Sequence, residues 1–374
     1  MFFSSIEKMV FEVSFFDKNR RLFNVEDVAK IRSILDSLDN DYVNNKKTSL
    51  RHYDIMKRCV DSEKIKVGKN TLQSVEQCFN AVVYDYDKEF KNKKIHRVIR
   101  CKDRFCPICQ KIDSRKRAYE LLICSRWITQ IEKKALIFLT LTVPNCKGNE
   151  LRNTIDILIK SWAHMTRLKR VKNCVKGSYR KIEVTYNVTQ DDYHPHLHLM
   201  IAVNKSYFRN KSYISQKDWS LFWKQSVENV SKKELDQIPV VDVKSIGDEG
   251  ATFEIAKYCA KPTAEFYYDE DVYSTMRNAV KRKQLVAAKG LFAEAIEKFQ
   301  NGELDFLANK KDIEWAYRIR YEWDEKAKRY RHMLLDIEDD VSREELMFIL
   351  GNKVYGKNVE TIDIDIQEQM QIKK

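Results

Sequence analysis

Apolar residues and threonines share the run ALIFLTLTVPN (135–145), which ends at Pro144 and predicts a central β-strand. The longer stretch RKIEVTYNVTQDDYHPHLHLMIAV contains two β-rich runs joined by a polar turn at Gln190–Asp191–Asp192, the pattern of a hairpin. A further strand signal, IPVVDVKSI, covers Ile238–Ile246. Glycines at 247 and 250 then make a turn, and TFEIAKYCAKP begins a helix that Pro262 helps to end. Helical patterns occupy most of residues 1–65, SRKRAYELLICSRWITQIEKK, and the amphipathic segment 154–172. From Ser274 to Met333 the pattern also reads as helix, with Trp315, Ile319 and Trp323 as a core-facing stripe. Strand pairs interleaved with helices predict the α+β class, a central antiparallel β-sheet flanked by helices. Along the chain this gives a mostly helical segment (1–65), a basic cysteine-containing segment (66–130), a sheet-and-helix core (131–265), a helical region (266–334) and an acidic tail (335–374).

Charge sharpens this picture. The 374 residues carry 68 Lys and Arg against 55 Asp and Glu, a formal charge of +13. Residues 335–374 hold ten acidic and five basic residues, which leaves about +18 on the first 334. Such a body attracts polyanions, and a basic body with an acidic tail suits nucleic acid better than membrane. No run of 18 apolar residues predicts a membrane span. Glu7, Lys8 and Glu12 interrupt the apolar start, so it does not read as a signal peptide. Nine unevenly spaced cysteines fit a reduced, cytoplasmic protein in which clustered thiols bind metal.

The first candidate site is HPHLHL. Residues two apart in a strand share a face and lie about 7 Å apart along it, so His196 and His198 can lean onto one metal ion while Leu197 and Leu199 enter the core. His194 lies on the same face at the strand's entry, beside Pro195. Glu183, a charge within the preceding β-rich arm, is the candidate third ligand, with the turn residues Asp191 and Asp192 as rivals. Two imidazoles and a carboxylate with open positions suit Mg²⁺ or Mn²⁺ beside a phosphate, and Zn²⁺ also fits those ligands.

The second candidate site is EIAKYCAK. On a helix Glu254 and Tyr258 stand one turn apart on one face, which Lys261 extends. An activated tyrosine is a covalent nucleophile, and a nearby lysine favours its phenolate.

FLTLTVPN, then HPHLHLMIAVNKSYF, then EIAKYCAK, preceded by RFCPICQ, resembles in order the initiator proteins of rolling-circle plasmids. These belong to the HUH endonuclease superfamily, and the resemblance is greatest to the single-tyrosine group of small staphylococcal plasmids. It spans roughly Cys78 to Lys261 and continues less distinctly to about Phe306. It implies an HUH endonuclease core over 131–265 with His196 and His198 as paired metal ligands. Tyr258 would attack the scissile phosphodiester, leaving a 5′-phosphotyrosine and a free 3′-hydroxyl for a host polymerase, with a host helicase opening the duplex. Glu254 would activate water for the terminating cleavage, and Lys261 fills the last place of a Tyr-x-x-Lys pattern. The implied partner is plasmid origin DNA, and the region beyond 265 is a candidate for origin specificity or for self-association as a homodimer. An HUH transposase or relaxase would use similar chemistry on another substrate. A zinc-stabilised DNA-binding regulator would keep the basic surface without cleavage.

Cys101-x₄-Cys106-x₂-Cys109 offers three thiolates to a structural Zn²⁺, which takes four ligands. Cys78 is the candidate fourth, matching a cysteine of the resembled group, with His96 as rival. Residues 161–181 carry Arg167, Lys169, Arg170, Lys172, Lys176, Arg180 and Lys181 and no acid. Trp162 and Tyr179 are interleaved with them, a pattern that predicts phosphate contacts positioning DNA without reading its bases.

Overall fold

The structure is a computed structural model that describes residues 25–68, 70–209, 213–237, 239, 241–246, 269–308, 313–335, 337 and 359–361. The chain divides into two compact units, one formed by Met1–Lys57, Val67–Gln110 and Lys310–Lys374, the other by Arg58–Lys66 and Lys111–Asn309. Both are mixed α and β with antiparallel sheets.

In the first unit the long helix α1 (Val25–Asp61) and the short α2 (Thr71–Glu76) precede the strands β1 (Ala81–Asp87) and β2 (Lys93–Ile99). The helix α3 (Pro107–Arg126) starts here and continues into the second unit. With the later strands β8 (Trp315–Asp324), β9 (Arg329–Leu335) and β10 (Val359–Thr361), the sheet order is β10-β2-β1-β8-β9. Alternation in β1 sends Tyr84 and Tyr86 to one face, where the Tyr42 ring of α1 stacks on Tyr84 at 5.2 Å and meets Tyr321 edge-on at 4.8 Å. The phenols of Tyr42, Tyr86 and Tyr321 are linked by hydrogen bonds of 3.0 and 2.8 Å, and burial pushes the Tyr86 phenol up to about 12. Asp85 points the other way and is gripped by the Arg318 guanidinium through Nε at 2.6 Å and Nη2 at 3.0 Å.

Within 266–334 the helical expectation holds for Glu270–Val280 and Leu291–Gln300 and is corrected from Trp315 onward by these strands. Trp315, Ile319 and Trp323 are four apart, a spacing that satisfies a strand's two-residue period as well as a helix. Tyr317 and Tyr321 fill the intervening odd positions, so the segment alternates as WAYRIRYEWD and pairs with β1 over Ala81–Asp87.

The second unit holds β3 (Lys134–Thr142), β4 (Gly177–Asn187), β5 (Asp192–Asn204), β6 (Val241–Ile246) and β7 (Val286–Gly290) in the order β6-β3-β5-β4-β7. The helices α4 (Leu151–Met165), α5 (Lys169–Cys174), α6 (Gln216–Ser231), α7 (Glu270–Val280) and α8 (Leu291–Gln300) accompany it. The central strand β5 is buried on both faces, with Leu197, Leu199, Ile201 and Val203 on one and His198, Met200 and Ala202 on the other. On the histidine face Ser125 of α3 reaches Met200, and Phe292 of α8 packs on Tyr179 of β4. The helices α4 and α6 pack together through His164 and Ser226 at 3.1 Å, and Trp223 donates to the Thr142 carbonyl at 2.6 Å. At the β4–β7 edge Gly177 faces Gly290, whose φ is +58°. A Cβ at Gly290 would stand 2.4 Å from the Lys176 carbonyl, so only glycine fits. Among the described residues no helix is long and apolar enough to cross a membrane.

Candidate metal and nuclease site

Antiparallel register builds the first cluster. In β5 His196 stands opposite Thr142 of β3 and Glu183 of β4, and His198 opposite Thr140 and Lys181. Cross-strand partners share a face, so the two imidazoles, the carboxylate, two hydroxyls and a lysine project from one side of the sheet. Glu183 Oε2 lies 2.9 Å from His198 Nε2 and 3.4 Å from His196 Nε2. Phe138 stacks on the His198 ring at 5.7 Å.

The outer nitrogens of both imidazoles have partners that orient the rings. His196 Nδ1 is 3.2 Å from the His194 carbonyl, which can only accept, so Nδ1 carries the hydrogen. His198 Nδ1 is 3.3 Å from the Thr140 hydroxyl. With its Nδ1 hydrogen committed, His196 turns either a lone pair or a second proton toward Glu183. Two acceptors facing each other at that distance repel, and a cation between them removes the repulsion. Burial works to raise the Glu183 carboxyl, but hydrogen bonds from His196 and His198 outweigh it and hold the group well below the usual carboxylate range. Ligand atoms about 2.1 Å from a common ion stand roughly 3.0 to 3.4 Å apart. The three side chains offer ligand atoms all within 4.8 Å of one another, so the donor set fits a divalent ion. Asp191 and Asp192 fall outside this cluster. Asp191 accepts from Tyr186 at 2.8 Å, and Asp192 accepts from the Asn145 amide at 3.1 Å through both oxygens.

Asn145 was not singled out by sequence reasoning, although it closes the VPN end of the first motif. Its Nδ2 faces the Asp192 carboxylate, so its Oδ1 accepts from His194 Nδ1 at 2.6 Å. The adjoining Cys146–Tyr193 bridge ties this loop to the entry of β5. Thr140 was missed too, since only the register between β3 and β5 brings it to His198. Threonines at i and i+2 in β3 match the histidines at i and i+2 in β5. Tyr258, Glu254 and Lys261 lie outside the described residues.

The second cluster gathers Cys78, Cys101, Cys106 and Cys109, again with ligand atoms within 4.8 Å of one another. Its Sγ atoms are 3.6 Å apart for Cys78–Cys106, Cys78–Cys109 and Cys101–Cys109. Such spacing is far too long for disulfides but close to the ~3.8 Å edge of a tetrahedron with 2.3 Å zinc–sulfur bonds. Thiol hydrogen bonds from Cys101, Cys106 and Cys109 outweigh burial and hold Cys78 well below the ordinary thiol range. Cys78 follows α2, Cys101 follows β2, and Pro107 opens α3 between the other two, where its missing N–H costs nothing. The buried Lys46 ammonium donates to the Glu76 and Cys78 carbonyls at 2.8 and 2.9 Å, fixing the backbone that presents Cys78. His96, the rival fourth ligand, instead faces Asp85 at 3.6 Å.

The basic stretch 161–181 divides. Arg167, Lys169, Arg170, Lys172 and Lys176 are exposed on and around α5. Arg180 corrects the expectation. It is buried on the opposite face of β4 from Glu183, because its odd–even position turns it inward. Trp162 and Tyr179 are core residues at 4% and 2% exposure, so they cannot stack on nucleic acid. Lys181 is half-buried and stands directly across from His198.

Residues 92–331 match a family described as replication protein. A protein named Protein rep from Staphylococcus aureus is 40% identical over 196 residues, covering 52% of this chain and 84% of its own length. Another of that name from Streptococcus pneumoniae is 31% identical over 287 residues, covering 73% of this chain and 86% of its own. A third from a Bacillus species is 29% identical over 253 residues, 61% of this chain and 80% of its own. No solved structure matches the chain.

Proposed function

The chain belongs to the replication protein family, and from that premise we propose that it initiates rolling-circle replication of a plasmid by nicking one strand of its origin. The observation that carries this reading is the convergence of Glu183, His196 and His198 on one sheet face, with the outer nitrogens of both imidazoles held by the His194 carbonyl and the Thr140 hydroxyl. Those three side chains would hold Mg²⁺ or Mn²⁺. An ion held there would supply Lewis-acid charge to the scissile phosphate. Lys181, across from His198, adds a fixed positive charge beside the same phosphate. The Tyr258 phenol oxygen attacks phosphorus and its proton passes to a base. The bond to the 3′-oxygen breaks, and that oxygen takes up a proton. The products are a 5′-phosphotyrosine and a free 3′-hydroxyl that primes synthesis. Glu254 serves as general base for the terminating cleavage, and strand joining follows. On this account the sheet carrying the triad is an HUH endonuclease core, and the four cysteines hold a structural Zn²⁺ in a separate unit.

Supercoiled plasmid carrying a candidate origin, incubated with Mn²⁺, tests the reading. The intact protein should convert it to open circles, and His198→Ala should not, while both retain origin binding. Binding without conversion by the intact protein at any origin or metal tried would favour a zinc-stabilised regulator.

A further inference from the structure

We propose that an aromatic platform around Tyr207, at the far end of β5 from the metal ligands, holds single-stranded DNA by base stacking. The proposal extends the DNA-nicking reading and rests on it for the identity of the polymer, but no residue of the platform belongs to the proposed nuclease site.

The platform arises where β5 ends. A 3₁₀ turn (Lys205–Arg209) follows the strand, buries Tyr207 and turns Phe208 outward. The Tyr207 hydroxyl accepts from the Ile214 N–H at 3.2 Å and from Trp219 Nε1 at 3.3 Å, and donates to the Ile214 carbonyl at 3.0 Å. That anchored ring supports two exposed ones, Phe208 at 5.1 Å and Tyr213 at 5.4 Å. Phe208 is 42% and Tyr213 48% exposed, whereas neighbouring Trp219 is wholly buried. Rings held rigidly in water on a fixed base lose an unfavourable exposure when a flat partner covers them.

Charge decides what the partner is. The Arg170 guanidinium donates to the Tyr213 carbonyl at 3.1 Å and lies over Phe222 at 5.5 Å, joining α5 to the same surface. Lys169, Lys172, Lys205 and Arg209 are exposed around it. Asp218 lies at this surface and is paired with Arg170 at 3.4 Å. Exposed rings among exposed cations form a stacking platform within a phosphate-attracting field, the combination that single strands require. A duplex presents phosphates to the same cations but keeps its base faces covered. The eight steps from His196 to Asn204 span roughly 26 Å of strand, so the platform would take nucleotides remote from the nick rather than those in reaction.

Fluorescence anisotropy of a labelled 20-nucleotide dT strand and of a blunt duplex of equal length tests this with the full chain. Phe208→Ala and Tyr213→Ala should each weaken dT binding about 5- to 100-fold, and leave duplex binding within about twofold. Phe208→Trp, which keeps a ring, should restore single-strand binding. Unchanged dT affinity in the double alanine variant overturns the proposal. So does an equal loss on strand and duplex, or failure of the tryptophan variant to rescue, since either points to contacts other than base stacking. A selective, rescued loss alongside failure of Tyr258→Phe to change cleavage would retain the platform and discard the tyrosine mechanism.

Discussion

Thr140 and Asn145 show how much of the site depends on groups that never touch a phosphate. Thr140 meets His198 at Nδ1, and Asn145 holds His194, whose carbonyl in turn holds His196. Outer partners of this kind orient metal-binding imidazoles, and their loss costs about 10- to 100-fold in metal affinity. Thr140→Val is therefore expected to weaken Mn²⁺ binding by that factor in calorimetry while leaving the fold intact. Unchanged affinity would mean that Thr140 does not orient the ligand. Glu183→Gln removes the charge but keeps the shape, and should weaken Mn²⁺ more than Thr140→Val. At this scale the grouping of His196, His198 and Glu183 and of the four cysteines was legible, because residue type and spacing mark candidate ligands. Thr140 was not, because its role depends on the register between β3 and β5. Arg180 was misjudged because a count of basic residues ignores which face of a strand each one occupies.

Elements follow the same logic of period and partner. Strand β2 hides its alternation behind lysines and arginines, and β8 carries a four-residue spacing common to both periods. What settles β8 is β1, more than two hundred residues earlier, whose Asp85 needs Arg318. Asp85 is 1% exposed, and breaking a buried pair by removing one partner costs about 3 to 5 kcal/mol. Asp85→Ala should lower the urea midpoint of the first unit accordingly. A shift under about 1 kcal/mol would show that water replaces the carboxylate. The cysteine cluster ties the end of α2, the end of β2 and the start of α3 to one point. Binding energy at such a site is folding energy. Release of zinc by a thiol-reactive mercurial, followed with a metal-sensitive dye, should come with loss of helical and strand signal in circular dichroism. Release without spectral change would make the cluster incidental to folding.

Over the whole molecule, the +13 charge and the five exposed cations near α5 set how it meets DNA. If each of the five neutralises one phosphate, log affinity should fall with log salt at a slope of about −4.5, roughly 500-fold for a fourfold rise in salt. A slope near zero would remove electrostatics from the account. The α+β class and the hairpin carrying the histidines were legible because local periods set them. The return of residues 315–335 to the sheet of β1 was not, since it rests on long-range pairing. The proposed nicking requires that Tyr258 become joined to DNA. Labelled single-stranded origin DNA incubated with Mn²⁺ and run on a denaturing protein gel tests it most directly. The intact protein should carry the label covalently and Tyr258→Phe should not. Cleavage by both with no protein-bound label would make water the nucleophile and contradict the account.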